Sequence, residues 1–236
     1  MVRFSYDRLE DFPMTLQIGM ISPHGMVLAG DTWCYRMPLP QFQGTGALWD
    51  GYFRSKIKIS ASHRMAISSA VEMDMADKVA DQLLAEIEQV LPEIREREIH
   101  RIVGAISPRQ EFECIVAFLD PQYALYSLQY RNFGNEPHLT VIPMLGYCTA
   151  GDSMNPAAFW PMRYYKRDLG ISALKRLAVH MLVMASEQSS GNIRGLEVVV
   201  SSDSGFQRIP EEECQRMENE AKQQGQDIAR LVMGET

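Results

Sequence analysis

The feature that most constrains the fold is the grouping of strand-like and helix-like segments into blocks. The chain opens with a strand over 15–21 and a second over 26–36, joined by a turn at His24 and Gly25. Two short strands follow within 55–71, before the first helical block. Further strands, helices, strands and a final helix complete the chain. Blocks in this order favour an α+β layered domain over a sheet of alternating parallel βα units.

The helical blocks are recognised by apolar residues that recur three and four positions apart. A long helix is predicted to begin at Glu72, with an apolar face made of Met75, Val79, Leu83, Ile87, Leu91 and Ile94. A second, shorter helix is predicted over 95–106. Later helices are predicted over 155–165, 171–186 and 210–224, the last with Pro210 in its first turn.

The remaining segments alternate or run apolar in the way that strands do. A meander of four strands is predicted within 112–151, with turns at Asp120-Pro121 and Gly134-Asn135, and a hairpin is predicted around Asp203–Gly205. The segment 37–55 is instead predicted to be a long loop or insertion, because turn-forming residues punctuate it. These residues are Pro38, Pro40, Gly44, Gly46 and Gly51. Loops of that length often carry function.

Length and charge exclude several classes of protein. A chain of 236 residues suits one domain with a full-sized core. The net charge of −7, with dispersed basic residues, argues against a nucleic-acid-binding protein. The chain lacks an apolar run of about 18 residues, so no membrane span is predicted. The first thirteen residues, MVRFSYDRLEDFP, lack the apolar core of a signal peptide. We therefore expect a cytoplasmic protein that binds neither nucleic acid nor membranes.

The cysteines and histidines do not form a recognisable metal or disulfide pattern. The four cysteines are scattered and lie mostly in apolar strand-like runs: Cys34, Cys114, Cys148 and Cys214. There is no C-x-x-C pair, and the five histidines lie far apart in the sequence. We therefore expect reduced, buried thiols and no zinc site.

One set of short motifs spans nearly the whole chain. Thr15 heads the first strand, Gly19 follows four residues later, and Asp31 follows sixteen residues after the threonine. The later motifs are SKI at 55–57, MAISSA at 65–70 and ASEQSSGN at 185–192, followed by LEVVVSSDSGFQRIPEEE. A threonine at the start of a strand is by itself an ordinary choice. In this order and spacing, however, the motifs resemble those of proteasome β-type subunits, which are N-terminal-nucleophile hydrolases with bacterial relatives.

The resemblance implies a fold and a domain organisation. It implies a single four-layer αββα sandwich over residues 15–236, in which two antiparallel sheets pack face to face. The helices at about 72–106 and at 154–186 would cover the two outer faces. Residues 1–14 would be an N-terminal extension or a propeptide. Met14 stands where self-processed subunits have glycine, and it is alternatively the true first residue, removed before Thr15.

The resemblance also implies a mechanism centred on Thr15. A threonine hydroxyl needs a base, and an N-terminal threonine supplies one from its own α-amino group, whose pKa is about 7.7–8.0. Lys56 would then be the activating cation and Asp31 its partner, although Lys58 is an alternative to Lys56. The backbone N–H of Ser69, where the family has glycine, would be an oxyanion donor. The mechanism requires neither a metal nor an organic cofactor.

Two further residues are assigned by the resemblance near the end of the fourth helical block. Glu187 stands where the family has aspartate, and Ser190 matches the family's serine in Asp-x-x-Ser-Gly. The family's other active-site serine falls near Asp152 and Ser153 in AGDS. Together these assignments define a site made of Thr15, Asp31, Lys56, Ser69, Glu187 and Ser190.

Three functions stay open on this sequence. The favoured one is a proteasome-like threonine peptidase that acts on peptides or unfolded proteins and self-associates into rings, with or without an ATPase partner. The second is a non-catalytic, α-type or degenerate scaffold subunit that retains its N-terminal extension. The third is a hydrolase of small amides on the same fold. The GDSM stretch at 151–154 also matches the start of an esterase block, but the Asp-x-x-His that such enzymes need is missing near the end of this chain.

Overall fold

A computed structural model of the protein describes residues 15–36, 50–133, 136–152, 154–189 and 192–233. The predicted extension over 1–14, most of the predicted loop over 37–55, the turn at Gly134-Asn135, and Ser190 lie outside these residues. Within the described residues the chain forms three antiparallel sheets and five α-helices. The prediction of a mixed domain with antiparallel sheets is therefore confirmed.

The first sheet is built around the opening hairpin and has the strand order β10-β1-β2-β11-β12. Its strands are β1 (Leu16–Ser22), β2 (Gly25–Gly30), β10 (Tyr147–Gly151), β11 (Glu197–Ser202) and β12 (Gly205–Arg208). Strand β2 ends at Gly30, one residue before Asp31, so the predicted strand over 26–36 is interrupted. A separate two-stranded sheet pairs β3 (Trp33–Arg36) with β4 (Asp50–Phe53).

The second large sheet follows the chain in simple order, β5-β6-β7-β8-β9. Its strands are β5 (Ile57–Ile59), β6 (Met65–Val71), β7 (Phe112–Phe118), β8 (Ala124–Phe133) and β9 (Glu136–Met144). The predicted meander of four strands is thus divided, because its last strand, β10, pairs with β1 in the first sheet.

The helices correct one prediction. They are α1 (Met73–Glu86), α2 (Arg95–Ile106), α3 (Trp160–Tyr164), α4 (Ile171–Gln188) and α5 (Glu211–Met233). The long helix predicted from Glu72 to Ile94 stops at Glu86. Pro92 disfavours helical geometry at the preceding residue, and Leu91 is accordingly extended, with φ −59° and ψ 141°. A short 3₁₀ turn over Pro92–Ile94 then leads into α2.

Three apolar clusters form the core. One packs β1, β2 and β11 against α4 and α5, with Leu16, Ile18 and Leu174 fully buried. A second packs β6, β7 and β8 against α1 and α2. The third joins the inner faces of the two large sheets, with Leu28 and Ile115 among its fully buried members. Polar groups placed between the sheets are therefore enclosed by apolar side chains.

No helix in the described part of the chain is long and apolar enough to cross a membrane.

The fold brings three chain segments together at one place. The residue before β1, the residue after β2 and the residue before β5 come together at one end of the paired sheets.

Candidate active site

A threonine, an aspartate and a lysine from these three segments are in mutual contact. The Thr15 hydroxyl donates a hydrogen bond to Asp31 Oδ1 at 2.5 Å. Lys56 Nζ donates to Thr15 Oγ1 at 2.6 Å and to Asp31 Oδ2 at 2.7 Å. Asp31 also accepts a hydrogen bond from the backbone N–H of Leu16 at 2.9 Å. The structure therefore brings together the three residues that the sequence predicted to be nucleophile, cation and acid.

This cluster is almost inaccessible to solvent. Asp31 is fully buried, Lys56 is 1% exposed and Thr15 is 8% exposed. Burial raises the pKa of the Asp31 carboxyl above its usual value, while the nearby Lys56 ammonium and the hydroxyl of Thr15 act in the opposite direction. A buried ion pair is costly to desolvate and persists only when its hydrogen bonds are satisfied. The presence of this pair is therefore weak evidence for a contribution to stability.

Lys58, the alternative to Lys56, lies elsewhere. Its ammonium donates a hydrogen bond to Asp81 on α1 at 2.7 Å, and it lies 3.5 Å from Asp77 on the same helix. The Lys58 side chain is 26% exposed. The lysine in contact with Thr15 is therefore Lys56.

Two buried polar residues that the sequence analysis did not select complete the cluster. Gln17 is fully buried, and its amide nitrogen lies 3.4 Å from Thr15 Oγ1, 3.2 Å from Asp31 Oδ1 and 3.2 Å from the Asp31 carbonyl oxygen. Its amide oxygen accepts a hydrogen bond from the Ser68 hydroxyl at 2.5 Å. Gln17 thus links the cluster on the first sheet to β6 on the second. A polar residue two positions after Thr15, on the same face of a buried strand, was the signal available in the sequence.

A second buried carboxylate holds the backbone on either side of Lys56. Glu197 on β11 is 5% exposed and accepts hydrogen bonds from the N–H of Lys56 at 2.5 Å and of Ile57 at 3.0 Å. The other carboxylate oxygen accepts from the Ser55 hydroxyl at 2.8 Å and from the Arg208 guanidinium. Burial raises the pKa of the Glu197 carboxyl, and the positive charge of Arg208 acts in the opposite direction.

Gly151 and Asp152 lie against the backbone of Thr15. The N–H of Asp152 donates to the Thr15 carbonyl oxygen at 2.7 Å. At Gly151, which has φ +90°, an added Cβ would lie 2.2 Å from that same oxygen. The N–H of Gly151 in turn donates to buried Glu113 on β7 at 2.5 Å. Of the predicted AGDS serine region, Ser153 lies outside the described residues.

The backbone N–H of Ser69 is already engaged in a hydrogen bond. Its N–H donates to the carbonyl oxygen of Lys56 at 2.9 Å, as part of the pairing between β5 and β6. Ser69 would therefore reach a substrate oxygen only if this strand bond opened. Its predicted role as an oxyanion donor stays a prediction that this geometry does not favour.

Of the two residues predicted near the end of α4, only Glu187 is among the described residues, and it is not in contact with the cluster. Glu187 is exposed to solvent in the last turn of that helix, in contrast to the buried Thr15 group. Ser190 lies outside the described residues. The neighbouring Ser189 is buried, and its hydroxyl oxygen accepts a hydrogen bond from the N–H of Ile193 at 3.1 Å, as a local turn.

A pocket of about 460 Å³ opens beside the cluster. It is lined by the chain neighbours of the site residues, Thr32 next to Asp31 and Ser55 next to Lys56, together with Glu197 and Arg208. Thr15 itself does not line this pocket among the described residues.

The arrangement is suited to activating a hydroxyl. An ammonium at 2.6 Å stabilises negative charge that develops on Thr15 Oγ1, and the enclosed, low-dielectric setting strengthens that effect. No group of three His, Cys, Asp or Glu side chains in the described ranges is placed to hold a metal ion. Neither a family model nor a curated protein sequence matches this chain.

Proposed function

We propose that the protein is a threonine-type amide hydrolase of the N-terminal-nucleophile kind, a proteasome-like peptidase with Thr15 as its nucleophile. The observation that carries the proposal is the contact of one hydroxyl with both a buried ammonium and a buried carboxylate, at 2.6 and 2.5 Å. The proposal includes the four-layer αββα sandwich. The sandwich is supported by the three apolar clusters. One lies between the first large sheet and helices α4 and α5, one lies between the two large sheets, and one lies between the second large sheet and helices α1 and α2.

The catalytic base becomes available only when Thr15 is the first residue. In the 236-residue chain the Thr15 nitrogen is bonded to Met14, so it is an amide and not a base. Hydrolysis of the Met14–Thr15 bond consumes one water and releases a free α-amino group. The same free α-amino group results if Met14 is the first residue translated and is then removed.

Acylation then follows from the geometry. The Thr15 oxygen attacks the carbonyl carbon of the substrate amide, and its proton passes to the α-amino group. The Lys56 ammonium stabilises the developing negative charge, and Asp31 holds Lys56 in place. The carbon–nitrogen bond breaks, and the amine product leaves with the proton from the α-amino group. The acyl group remains as an ester on Thr15.

Deacylation regenerates the enzyme with water. The α-amino group accepts a proton from water as the water oxygen adds to the ester carbon. The carbon–oxygen bond to Thr15 then breaks, the hydroxyl recovers a proton, and the acid product leaves. The two steps together consume one water per amide bond, and every other group returns to its starting state.

The proposed substrates are peptides or unfolded proteins, and the proposed setting is a cytoplasmic ring or larger homo-oligomer that confines the active sites. Exposed apolar side chains are compatible with such assembly. They cluster in sequence around β10 and α3: Leu145, Met154, Phe159 and Met162 are 81, 80, 53 and 73% exposed. Whether an ATPase feeds the assembly is a separate question.

The experiment begins with the intact mass and N-terminal sequence of the purified protein. Material that starts at Thr15 should hydrolyse fluorogenic peptides and should form an adduct on Thr15 with a β-lactone acylating reagent. Thr15→Ala should abolish both, while Thr15→Ser retains a hydroxyl and should keep part of the activity. Thr140→Ala, on edge strand β9 of the other sheet, is the matched control and should have no effect. Hydrolysis that survives Thr15→Ala would rule the proposal out.

A second candidate is the non-catalytic scaffold subunit. The observation in its favour is the peptide bond between Met14 and Thr15, which removes the base. This candidate predicts assembled particles in which every chain still carries residues 1–14. Those particles would show neither peptide hydrolysis nor a Thr15 adduct.

A further inference from the structure

The direction of the Lys56 side chain is unusual for its position in the chain. Lys56 precedes β5 by one residue and is two residues from Lys58, so regular strand alternation would place both side chains on one face. Instead Lys58 reaches Asp81 on α1, while Lys56 reaches Thr15 on the first sheet. The backbone must therefore leave regular strand geometry at Lys56.

The hydrogen bonds of this segment show where it departs. In an extended strand, the N–H groups of consecutive residues point to opposite edges. Here the N–H groups of Lys56 and Ile57 both donate to Glu197 Oε1. The carbonyl oxygen of Lys56 still accepts from Ser69 on β6 at 2.9 Å. The peptide unit before Lys56 has thus turned away from the β6 partner and toward Glu197.

A second contact fixes the same bend from outside. Among the residues that the structure describes, β5 is an edge strand, and one edge of its backbone pairs with no described strand. On that edge Glu197 accepts from the Ile57 N–H, and Arg208 Nη2 donates to the Ile57 carbonyl oxygen at 2.5 Å. Arg208 also donates to Glu197 itself. The ion pair thereby substitutes for a strand partner at this one residue.

We infer that Glu197, held by Arg208, is a positioning residue: it bends the chain at Lys56 and directs the Lys56 ammonium to Thr15. The consequence for catalysis rests on the proposed function, but the geometric part does not. The described hydrogen bonds of the Glu197 carboxylate go to Ser55, Lys56, Ile57 and Arg208, and none goes to Thr15 or Asp31. Removing the carboxylate should therefore alter the placement of the ammonium.

The first test uses the unmodified protein and hydrogen exchange resolved to single amides. The Lys56 and Ile57 amides should exchange slowly, although neither donates a hydrogen bond to the backbone of a neighbouring strand. Exchange of the Lys56 amide at the unprotected rate would overturn the inference, whether or not any variant folds.

The second test uses Glu197→Leu, which removes the acceptor at similar size. In its crystal structure Lys56 Nζ should lie beyond hydrogen-bonding distance of Thr15 Oγ1. kcat should fall about 10–100-fold, the range seen when groups that orient metal ligands are removed, with KM unchanged. Glu197→Gln retains an acceptor oxygen and should rescue most of this loss. A Lys56 still in contact with Thr15 in Glu197→Leu would overturn the inference.

Two further variants complete the design. If Glu197→Leu does not fold, Arg208→Gln removes the outer partner at a residue whose side chain is 40% exposed, and should give a smaller loss of kcat in the same direction. An unchanged kcat in that variant would count against the inference. Glu213→Gln breaks the 2.6 Å ion pair with Lys175 on the helix surface and should leave kcat unchanged. Should the wild-type protein hydrolyse nothing, the proposed function fails, but amide exchange and the Lys56 position still decide the role of Glu197.

Discussion

Lys56 and Lys58 are two residues apart and occupy opposite electrostatic environments. Lys56 is 1% exposed and contacts Asp31 between apolar sheets, whereas Lys58 is 26% exposed and its partner Asp81 is 67% exposed. Each lysine lies 2.7 Å from a carboxylate oxygen. Equal distances therefore describe two very different interactions, because water screens one pair and is excluded from the other.

The comparison teaches that burial, and not the ion pair itself, distinguishes the lysine that we propose to be functional. An exposed pair contributes about 0–1 kcal/mol and can be lost with little effect. A buried pair is expensive to form, and the loss of one partner leaves an uncompensated charge. A fold retains such a pair where its chemistry is needed, and here the third member of the group is a hydroxyl.

The largest expected difference comes from removing each lysine in turn. Lys56→Met should lower kcat by about 100–1000-fold, the loss typical when one group that stabilises transition-state charge is removed. It should also lower the free energy of unfolding by about 3–5 kcal/mol, since Asp31 stays buried without its partner. Lys58→Met should change stability by less than Lys56→Met does, because its nearer partner Asp81 is exposed and the buried Asp77, 3.5 Å from Lys58, keeps its ion pair with Arg54. It should leave kcat unaltered. Peptide hydrolysis and urea unfolding measure both quantities, and equal effects of the two variants would contradict the comparison.

A double variant separates the effect of the Asp31–Lys56 pair on stability from its effect on activity. Asp31→Asn alone leaves Lys56 unpaired, and Lys56→Met alone leaves Asp31 unpaired, so each should be strongly destabilised. The combination has no charged side chain left in this cluster. Its free energy of unfolding should be higher than that of either single variant, with a coupling of about 0.5–3 kcal/mol. Its activity should nevertheless stay lost. The matched cycle, Lys58→Met with Asp81→Asn, should show a coupling below about 1 kcal/mol.

Much of the fold was accessible from the sequence because periodicity reports local structure. The α2 helix over Arg95–Ile106 agrees with its prediction to the residue, and the strand and helix blocks occur in the predicted order. The error at α1 arose because the apolar period continues past Glu86, whereas Pro92 imposes an extended residue before it. The passage of β10 into the other sheet depends on long-range pairing, which local patterns do not report.

The candidate site was accessible in part, through spacing. Thr15, Asp31 and Lys56 were selected from their order, and their contact is observed. Spacing favoured Lys56 but left Lys58 open as an alternative, because the choice depends on a bend made by Glu197, which is 141 residues away from Lys56 in the chain. An acid at the start of the buried strand EVVV was the one sequence signal that this residue had a special role.

Two glycines, Gly151 beside the buried cluster and Gly225 on α5, should respond oppositely to the same substitution. Gly151→Ala should lower the free energy of unfolding by about 1–3 kcal/mol, because its φ of +90° disfavours a side chain and the new Cβ would meet the Thr15 carbonyl oxygen at 2.2 Å. The same change at Gly225 on α5, where an added Cβ meets nothing within 4 Å, should raise stability by about 0.5–1 kcal/mol. Thermal unfolding of the two variants gives the comparison directly, and a stabilised Gly151→Ala would show that Thr15 is not held as described.

His180 on α4 provides an intermediate environment and the smallest expected effect. It is half-buried, with its ring centroid 4.5 Å from that of Trp160, and burial lowers the pKa of its imidazole below the ordinary value of 6.5. The folded protein therefore binds this proton less readily than the unfolded chain. The stabilising contribution is fully present above pH 6.5 and is lost as the pH falls through the folded-state pKa. His180→Gln should flatten the stability profile over that acidic interval in chemical unfolding. If the slope is unchanged, half-burial at this position does not act on the imidazole charge in the way that full burial acts on the Asp31 carboxyl.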